Sequence, residues 1–294
     1  MNNWLKQLRV HQWAKNLLLF VPVFASFKIP NQGELIALLL AFAAFNLVAS
    51  SIYVLNDFRD LANDRVHATK KNRPMAAGLI APKVGLLVAG LLLISGMAIG
   101  YSVGLPFFFA LLVYLVLTTA YSFGLKRVTL VDCITLAGLY TLRVVAGGLA
   151  SGIELSFWLL AFSVFFFLSL AWVKRYAELD GVQRSGGVLA GGRGYAVSDL
   201  PLILAFGASS GLIAVLIFAL YLDSSAIRST YAVPEIGWLA IPFVMYLIGR
   251  MWFKAFRGQM NEDPVLFLFR DWASIVTVLL MAVCLLAAHV GFGS

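Results

Sequence analysis

Tyr53-Val-Leu-Asn-Asp-Phe-Arg-Asp-Leu-Ala-Asn-Asp-Arg-Val-His67 is a run of charges and amides set into a chain that is 61% hydrophobic. Asn56, Asp57, Asp60 and Asp64 recur at intervals of three and four residues, so on a helix they project from roughly one face, about a turn apart. Acids that close repel one another unless a cation intervenes. Mg²⁺ takes hard oxygen ligands, usually one or two carboxylates plus the phosphates of a substrate, and is the simplest relief of that repulsion. A plain topology signal at a membrane edge has no need of three acids on one face, so the stretch reads as a site for a metal and a phosphorylated substrate.

Working outward, only 12% of the 294 residues are charged and the mean hydropathy is +0.90. That excludes an ordinary soluble domain, in which about a quarter of residues are charged. The fold class is all-α, a polytopic membrane bundle forming one domain over 1–294. About nine segments approach the ~20 apolar residues that a spanning helix needs: 13–27, 35–55, 84–103, 106–121, 130–151, 157–173, 200–222, 236–253 and 272–292. The first and fourth are short. Cys133 and Cys284 lie in apolar runs, which supports neither a disulfide nor a thiolate metal site.

Alternating nine spans across a bilayer sorts the basic residues. Those of 6–15, 59–83, 126–127, 174–193 and 250–270 fall on one side, leaving Lys28 and Arg228 opposite and Arg143 inside a span. The positive-inside rule makes the crowded side cytoplasmic, with the amino terminus in and the carboxyl terminus out, as in a multi-pass protein of the inner (plasma) membrane. The formal charge of +8 therefore reads as topology in a lipid bilayer and not as a nucleic-acid footprint. The amino-terminal basic and apolar stretch superficially resembles a signal peptide, but Pro22 interrupts it and Lys28-Ile-Pro30 follows it, so a retained first helix is preferred.

The polar exits 56–73, 123–129, 174–198 and 258–271 follow the even-numbered spans and are expected to converge on one cytoplasmic rim. Lys70 and Arg73 supply cations beside the acids, and His67 extends the phosphate site, carries a proton or is a plain surface histidine. Arg143 is isolated near the middle of an apolar span, where a charge costs at least about 2.5 kcal/mol and faces a cavity or a partner. Asp132 is about three turns away on the same helix, too far for a simple pair.

Asn56-Asp-x-x-Asp-x-x-x-Asp64 resembles the first aspartate-rich motif of the UbiA superfamily of intramembrane prenyltransferases, which are nine-helix bundles, and the likeness covers nearly the whole chain. Most members carry a second motif, DxxxD, after helix six, where this chain has Lys174-Arg-Tyr-Ala-Glu-Leu179. Five stretches are most similar to the decaprenyl-phosphate phosphoribosyltransferase branch: Gln12-Trp-Ala-Lys-Asn16, Asn56 to His67 with Lys70 and Arg73-Pro74, Tyr121-Ser-Phe-Gly-Leu-Lys126, Arg143-Val-Val-Ala-Gly-Gly148, and Lys174 to Leu179. Glu262-Asp-Pro-Val with Arg270-Asp271 is similar in character.

The resemblance implies Mg²⁺ held by Asn56, Asp57, Asp60 and Asp64, with the three aspartates catalytic. It implies substrate contacts from Lys15, Asn56, His67, Lys70, Arg73, Tyr121, Lys126, Arg143, Lys174, Arg175, Tyr176 and Glu178. The reaction it implies moves 5-phosphoribose from 5-phosphoribose 1-diphosphate to a polyprenyl (decaprenyl) phosphate, releasing pyrophosphate. The extra anions of that donor and acceptor suit Lys174 and Arg175 where relatives carry acids. Prenyl transfer to an aromatic or lipid acceptor is the rival chemistry, and lipid or small-molecule transport the rival class. Monomer and homo-oligomer are both left open.

Overall fold

The structure, a computed structural model, describes residues 3–67, 69–189, 193–224, 231–260 and 263–291; Arg228, Glu262 and Phe292 lie outside the described residues. Among the described residues, eight helical stretches are long and apolar enough to cross a membrane. The helices are α1 (Gln32–Arg59), α2 (Pro82–Val103), α3 (Leu105–Phe123), α4 (Val131–Ser151), α5 (Phe157–Arg184), α6 (Leu200–Asp223), α7 (Ala240–Phe256, preceded by a turn at Pro234–Gly237) and α8 (Trp272–Val290). Their ends are written in the sequence. Asn31 and Glu34 form a reciprocal capping box at the start of α1, and the Ser156 and Asp271 side chains accept from Leu159 N and Ser274 N at the starts of α5 and α8.

The segment expected as a first span, 13–27, takes a different form. Val10–Phe20 is a 3₁₀ helix continued by a short α-helix, Val21–Ser26. At ~2.0 Å per residue the 3₁₀ portion covers ~22 Å and the α portion ~9 Å more, so a run too short for an ordinary span reaches the ~30 Å of a bilayer core. Eight long helices and this extended segment together meet the expectation of about nine.

The 3₁₀ geometry also explains how the segment docks. Side chains three apart eclipse on a 3₁₀ helix, and three residues there advance ~6 Å, the same as four on an α-helix. Trp13 Nε1 accordingly donates to Ser50 Oγ at 3.0 Å and Asn16 Nδ2 to Asn46 Oδ1 at 2.7 Å; outside that row, four residues beyond Asn16, the Phe20 ring meets Phe42 at 5.8 Å between centroids. The register runs antiparallel along α1 in matched steps. Leu19, next in the same row, passes so near α4 that a Cβ on Gly147 would fall 1.9 Å from its carbonyl oxygen, so only glycine permits the approach.

A second departure concerns α5. Its apolar run suggests an end near residue 173, with Lys174 to Ser198 as a loop, whereas the helix continues to Arg184. Ion pairs at helical spacing, Arg175 with Glu178 and Asp180 with Arg184, accompany the extension. Lys174, Arg175, Tyr176 and Glu178 therefore have fixed helical directions.

The chain divides into two compact units, Met1–Phe123 with Leu142–Glu154, and Gly124–Thr141 with Leu155–Ser294. In the first, Ser51 Oγ on α1 donates to the Ala89 carbonyl of α2 at 2.8 Å. In the second, Ser169 Oγ on α5 donates to the Gly207 carbonyl of α6 at 2.8 Å, and a Cβ on Gly207 would meet the Trp252 ring at 2.0 Å. Both are the close, small-residue contacts by which helices pack where lipid removes the hydrophobic drive between them.

Candidate active site

In the first unit the aspartate-rich stretch is broken rather than continuous. α1 ends at Arg59, Asp60 takes φ −89° and ψ 7°, and a short helix, Leu61–Val66, follows. The break separates the four expected ligands. Asp57 and Asp64 are 3% and 2% exposed and meet at one guanidinium, Arg73 Nη1 lying 2.9 Å from Asp57 Oδ1 and 2.6 Å from Asp64 Oδ2. Asn56 turns to α3, donating from Nδ2 to Ser122 Oγ at 3.0 Å. Asp60 has a side chain 38% exposed and accepts from neighbouring Arg59 at 3.0 Å. A single face carrying all four is therefore not what forms.

Two residues that local spacing does not reveal complete the cluster. Arg9 Nη2 reaches Asp57 Oδ1 at 2.7 Å, and Gln7 Nε2 reaches Asp57 Oδ2 at 3.0 Å while its Oε1 accepts from Met75 N. Arg9 is a non-glycine residue at φ 52°, its guanidinium 4.8 Å from the Tyr53 ring centroid. A left-handed arginine is strained, and the strain here sits where the side chain is held by an acid and an aromatic face. Pro74 accounts for Arg73, since a residue before proline is driven out of the helical region, and Arg73 is extended at ψ 139°.

His67, Lys70, Tyr121 and Lys15 complete this unit's candidates. His67 is exposed, and its Nδ1 accepts from the backbone N–H of Thr69 and Lys70 at 3.3 and 3.4 Å, closing the turn. Lys70 is exposed on the next turn, Tyr121 is half-buried on α3, and Lys15 is buried in the 3₁₀ segment. Arg143 is 6% exposed: Nε donates to Asn16 Oδ1 at 2.8 Å, Nη2 to Tyr114 OH at 3.1 Å, and the cation lies 4.8 Å from the Tyr114 ring centroid. The intramembrane charge is thus solvated by amide, hydroxyl and π-face.

The second unit gathers the remaining candidates into two clusters on α5, with Lys126 half-buried on a separate 3₁₀ turn. Lys174 Nζ donates to Asp263 Oδ2 at 3.0 Å, and Tyr140 OH donates to the same carboxylate at 3.0 and 3.2 Å. The Lys174 side chain is 28% exposed and that of Asp263 7%. Arg175 is fully buried, 2.6 Å from the equally buried Asp132, and also pairs with Glu178; Arg193 reaches Asp132 at 3.2 Å and Glu178 at 3.4 Å. Tyr176 packs against Trp252 and Phe256. Tyr195, over whose ring Arg175 lies, accepts from Leu130 N at 2.9 Å, and burial raises its hydroxyl above the usual phenol value, keeping it protonated.

Chemically, the first unit offers a cation site lined by buried carboxylate oxygen, and α5 offers one partly exposed ammonium. Among the described residues no group of three or more His, Cys, Asp or Glu side chains gathers as a metal site. Asp57 and Asp64 nevertheless fit Mg²⁺ in kind, being two hard-oxygen donors that already share one cation, which is the number of carboxylates Mg²⁺ commonly uses beside phosphate.

The model of the UbiA prenyltransferase family matches residues 17–275. The chain is 39% identical over 276 residues to the uncharacterized protein y4nM of Sinorhizobium fredii, covering 92% of this chain and 53% of that one, so it spans about half the length of that relative. It is 32% identical over 250 residues to the decaprenyl-phosphate phosphoribosyltransferase of Mycolicibacterium smegmatis, covering 83% of this chain and 78% of that one. The structure of a UbiA homolog from Archaeoglobus fulgidus bound to GPP and Mg²⁺ superposes with a TM-score of 0.70 over 98% of this chain and 99% of that chain at 18% identity, which shows the fold.

Proposed function

The chain belongs to the UbiA prenyltransferase family and is a multi-pass membrane protein, and we propose that its own reaction is Mg²⁺-dependent transfer of 5-phosphoribose from 5-phosphoribose 1-diphosphate to a polyprenyl phosphate. The observation that carries this reading is the end of α5, where the partly exposed Lys174 ammonium is braced by Asp263 and Tyr140. A braced cation suits phosphate oxygen, which a sugar donor carrying a 5-phosphate supplies and a prenyl diphosphate lacks at its far end. The likeness to a decaprenyl-phosphate phosphoribosyltransferase supports the same substrate class.

The roles follow from chemistry. Asp57 and Asp64 would hold the metal of the diphosphate. Bound Mg²⁺ would supply charge neutralisation for the pyrophosphate as it leaves C1 of the ribose. Within the first unit Arg73, Arg9 and Lys70 would bind phosphate oxygens, and within the second Lys174 would. The attacking polyprenyl phosphate oxygen is already ionised at pH 7, so His67 and Glu178 orient and no strong base is required. The reaction is assigned to the cytoplasmic face of the inner membrane.

The test is a donor and acceptor assay on purified protein with Mg²⁺. Pyrophosphate released from 5-phosphoribose 1-diphosphate only when polyprenyl phosphate is present is the expected result. Consumption of a prenyl diphosphate instead would show ordinary prenyl transfer, and substrate movement without bond cleavage would show transport.

A further inference from the structure

The carboxylates of Asp57 and Asp64 are buried while the guanidinium between them is not: their side chains are 4% and 3% exposed, against 28% for Arg73. Both contact the same Arg73 nitrogen, at 2.9 and 2.6 Å, so the two oxygens can lie no more than 5.5 Å apart. An octahedral Mg²⁺ with ligands at about 2.0–2.1 Å spans oxygens up to ~4.2 Å apart, and further when one of its waters bridges. One Arg73 nitrogen therefore already sits where a single cation touches both carboxylates.

We infer that Arg73 is a built-in stand-in for the metal: it neutralises Asp57 and Asp64 in the metal-free protein and moves to the diphosphate oxygens when metal and diphosphate arrive together. The argument rests on the Mg²⁺-diphosphate reading above and adds to it an order of binding. In the resting cluster Asp57 and Asp64 contribute two negative charges, and Arg9 and Arg73 two positive ones. Metal alone would add two uncompensated positive charges beside a guanidinium, in a site that buries the acids. A diphosphate arriving with the metal supplies the missing negative charge and gives the displaced guanidinium a bidentate partner. The extended backbone at Arg73 places the side chain on a loop, where it can leave without unwinding a helix. The device would keep free metal from occupying the site without substrate.

The experiment titrates the full-length protein in detergent with Mn²⁺, read by paramagnetic resonance, with and without inorganic pyrophosphate. Wild type should bind Mn²⁺ weakly alone and about tenfold or more tightly with pyrophosphate. Arg73→Gln should bind Mn²⁺ alone about tenfold more tightly than wild type, the worth of one charge-assisted competitor, and should lose most of the enhancement by pyrophosphate. Arg73→Lys, which keeps the charge but not the fork, provides the second variant should Arg73→Gln fold poorly; its affinity for Mn²⁺ alone should rise a few-fold, and Mn²⁺ alone should raise its melting temperature more than that of wild type. Equal or weaker binding of Mn²⁺ alone by both variants overturns the stand-in role while leaving the metal site intact. No binding by any form, with or without pyrophosphate, removes the metal reading itself.

Discussion

Two buried carboxylate clusters, one in each unit, look alike on paper and differ in one respect. At Asp57 and Asp64 the acids are buried and their cations, Arg9 and Arg73, are 26% and 28% exposed. At Asp132 the acid and its principal cation, Arg175, are both at 0%. In the first cluster both cations are open to water, whereas in the second the principal cation is sealed and only Arg193, at its edge, is 20% exposed. Burial of an acid alone does not mark a binding site; the exposure of its counter-ion separates a site that can take up a new charge from a permanent strut.

The strut should yield the largest effect. Removing one partner of a buried ion pair leaves the other charge uncompensated and costs about 3–5 kcal/mol, so Arg175→Ala should lower thermal stability severely in a detergent melt. Arg175 was read from the sequence as a substrate ligand. If Arg175→Ala melts like wild type but loses donor affinity, the distinction between the clusters collapses. The mirror experiment is Asp64→Asn, where turnover should fall about 10²- to 10³-fold while the melting temperature changes far less. A melt as damaged as that of Arg175→Ala, with turnover retained, would make the first cluster a strut too.

The span positions were legible because length and hydropathy determine them, and the Asp57 to Asp64 stretch was legible because acids are rare in an apolar chain. The departures have specific physical origins. Asp60 ends α1, which no three-and-four spacing reveals, so only Asp57 and Asp64 converge. Gln7 and Arg9 join the cluster across 50 and 48 residues of chain, beyond any local pattern. Asp132, dismissed as a partner for Arg143, pairs with Arg175 and Arg193, while Arg143 is met by Asn16 and Tyr114. The polar end of α5 looked like a loop because hydropathy ends at Val173, whereas helical ion pairs carry the backbone on to Arg184.

Lys174 sharpens the comparison from within α5, one residue from the strut yet 28% exposed. By the counter-ion rule it belongs with Arg73. Lys174→Ala should raise the donor KM about tenfold, the value of one charge-assisted contact, with kcat and melting temperature little changed. An equal loss in kcat with unchanged KM would place its contact in the transition state alone.

The smallest effect is expected at Asp271, whose side chain is 14% exposed and bound by the Arg250 guanidinium through two 2.8 Å contacts while it caps α8. The Arg250 hydrogen bonds, and after them those from Ser274, hold this carboxyl well below the usual carboxylate range against the opposing effect of burial. A carboxyl whose folded pKa is depressed contributes stability that is full above its unfolded value of about 4 and is lost only as pH falls through the folded value. Asp271→Ala should therefore melt lower than wild type by the equivalent of about 1 kcal/mol, the worth of a helix cap, and the gap should stay constant from pH 8 to pH 5 and narrow only below about pH 4. A gap already closing between pH 7 and pH 5 would mean that the Arg250 clamp does not hold the carboxyl ionised, and that a partly exposed pair outside the binding clusters behaves as neither strut nor exchangeable site.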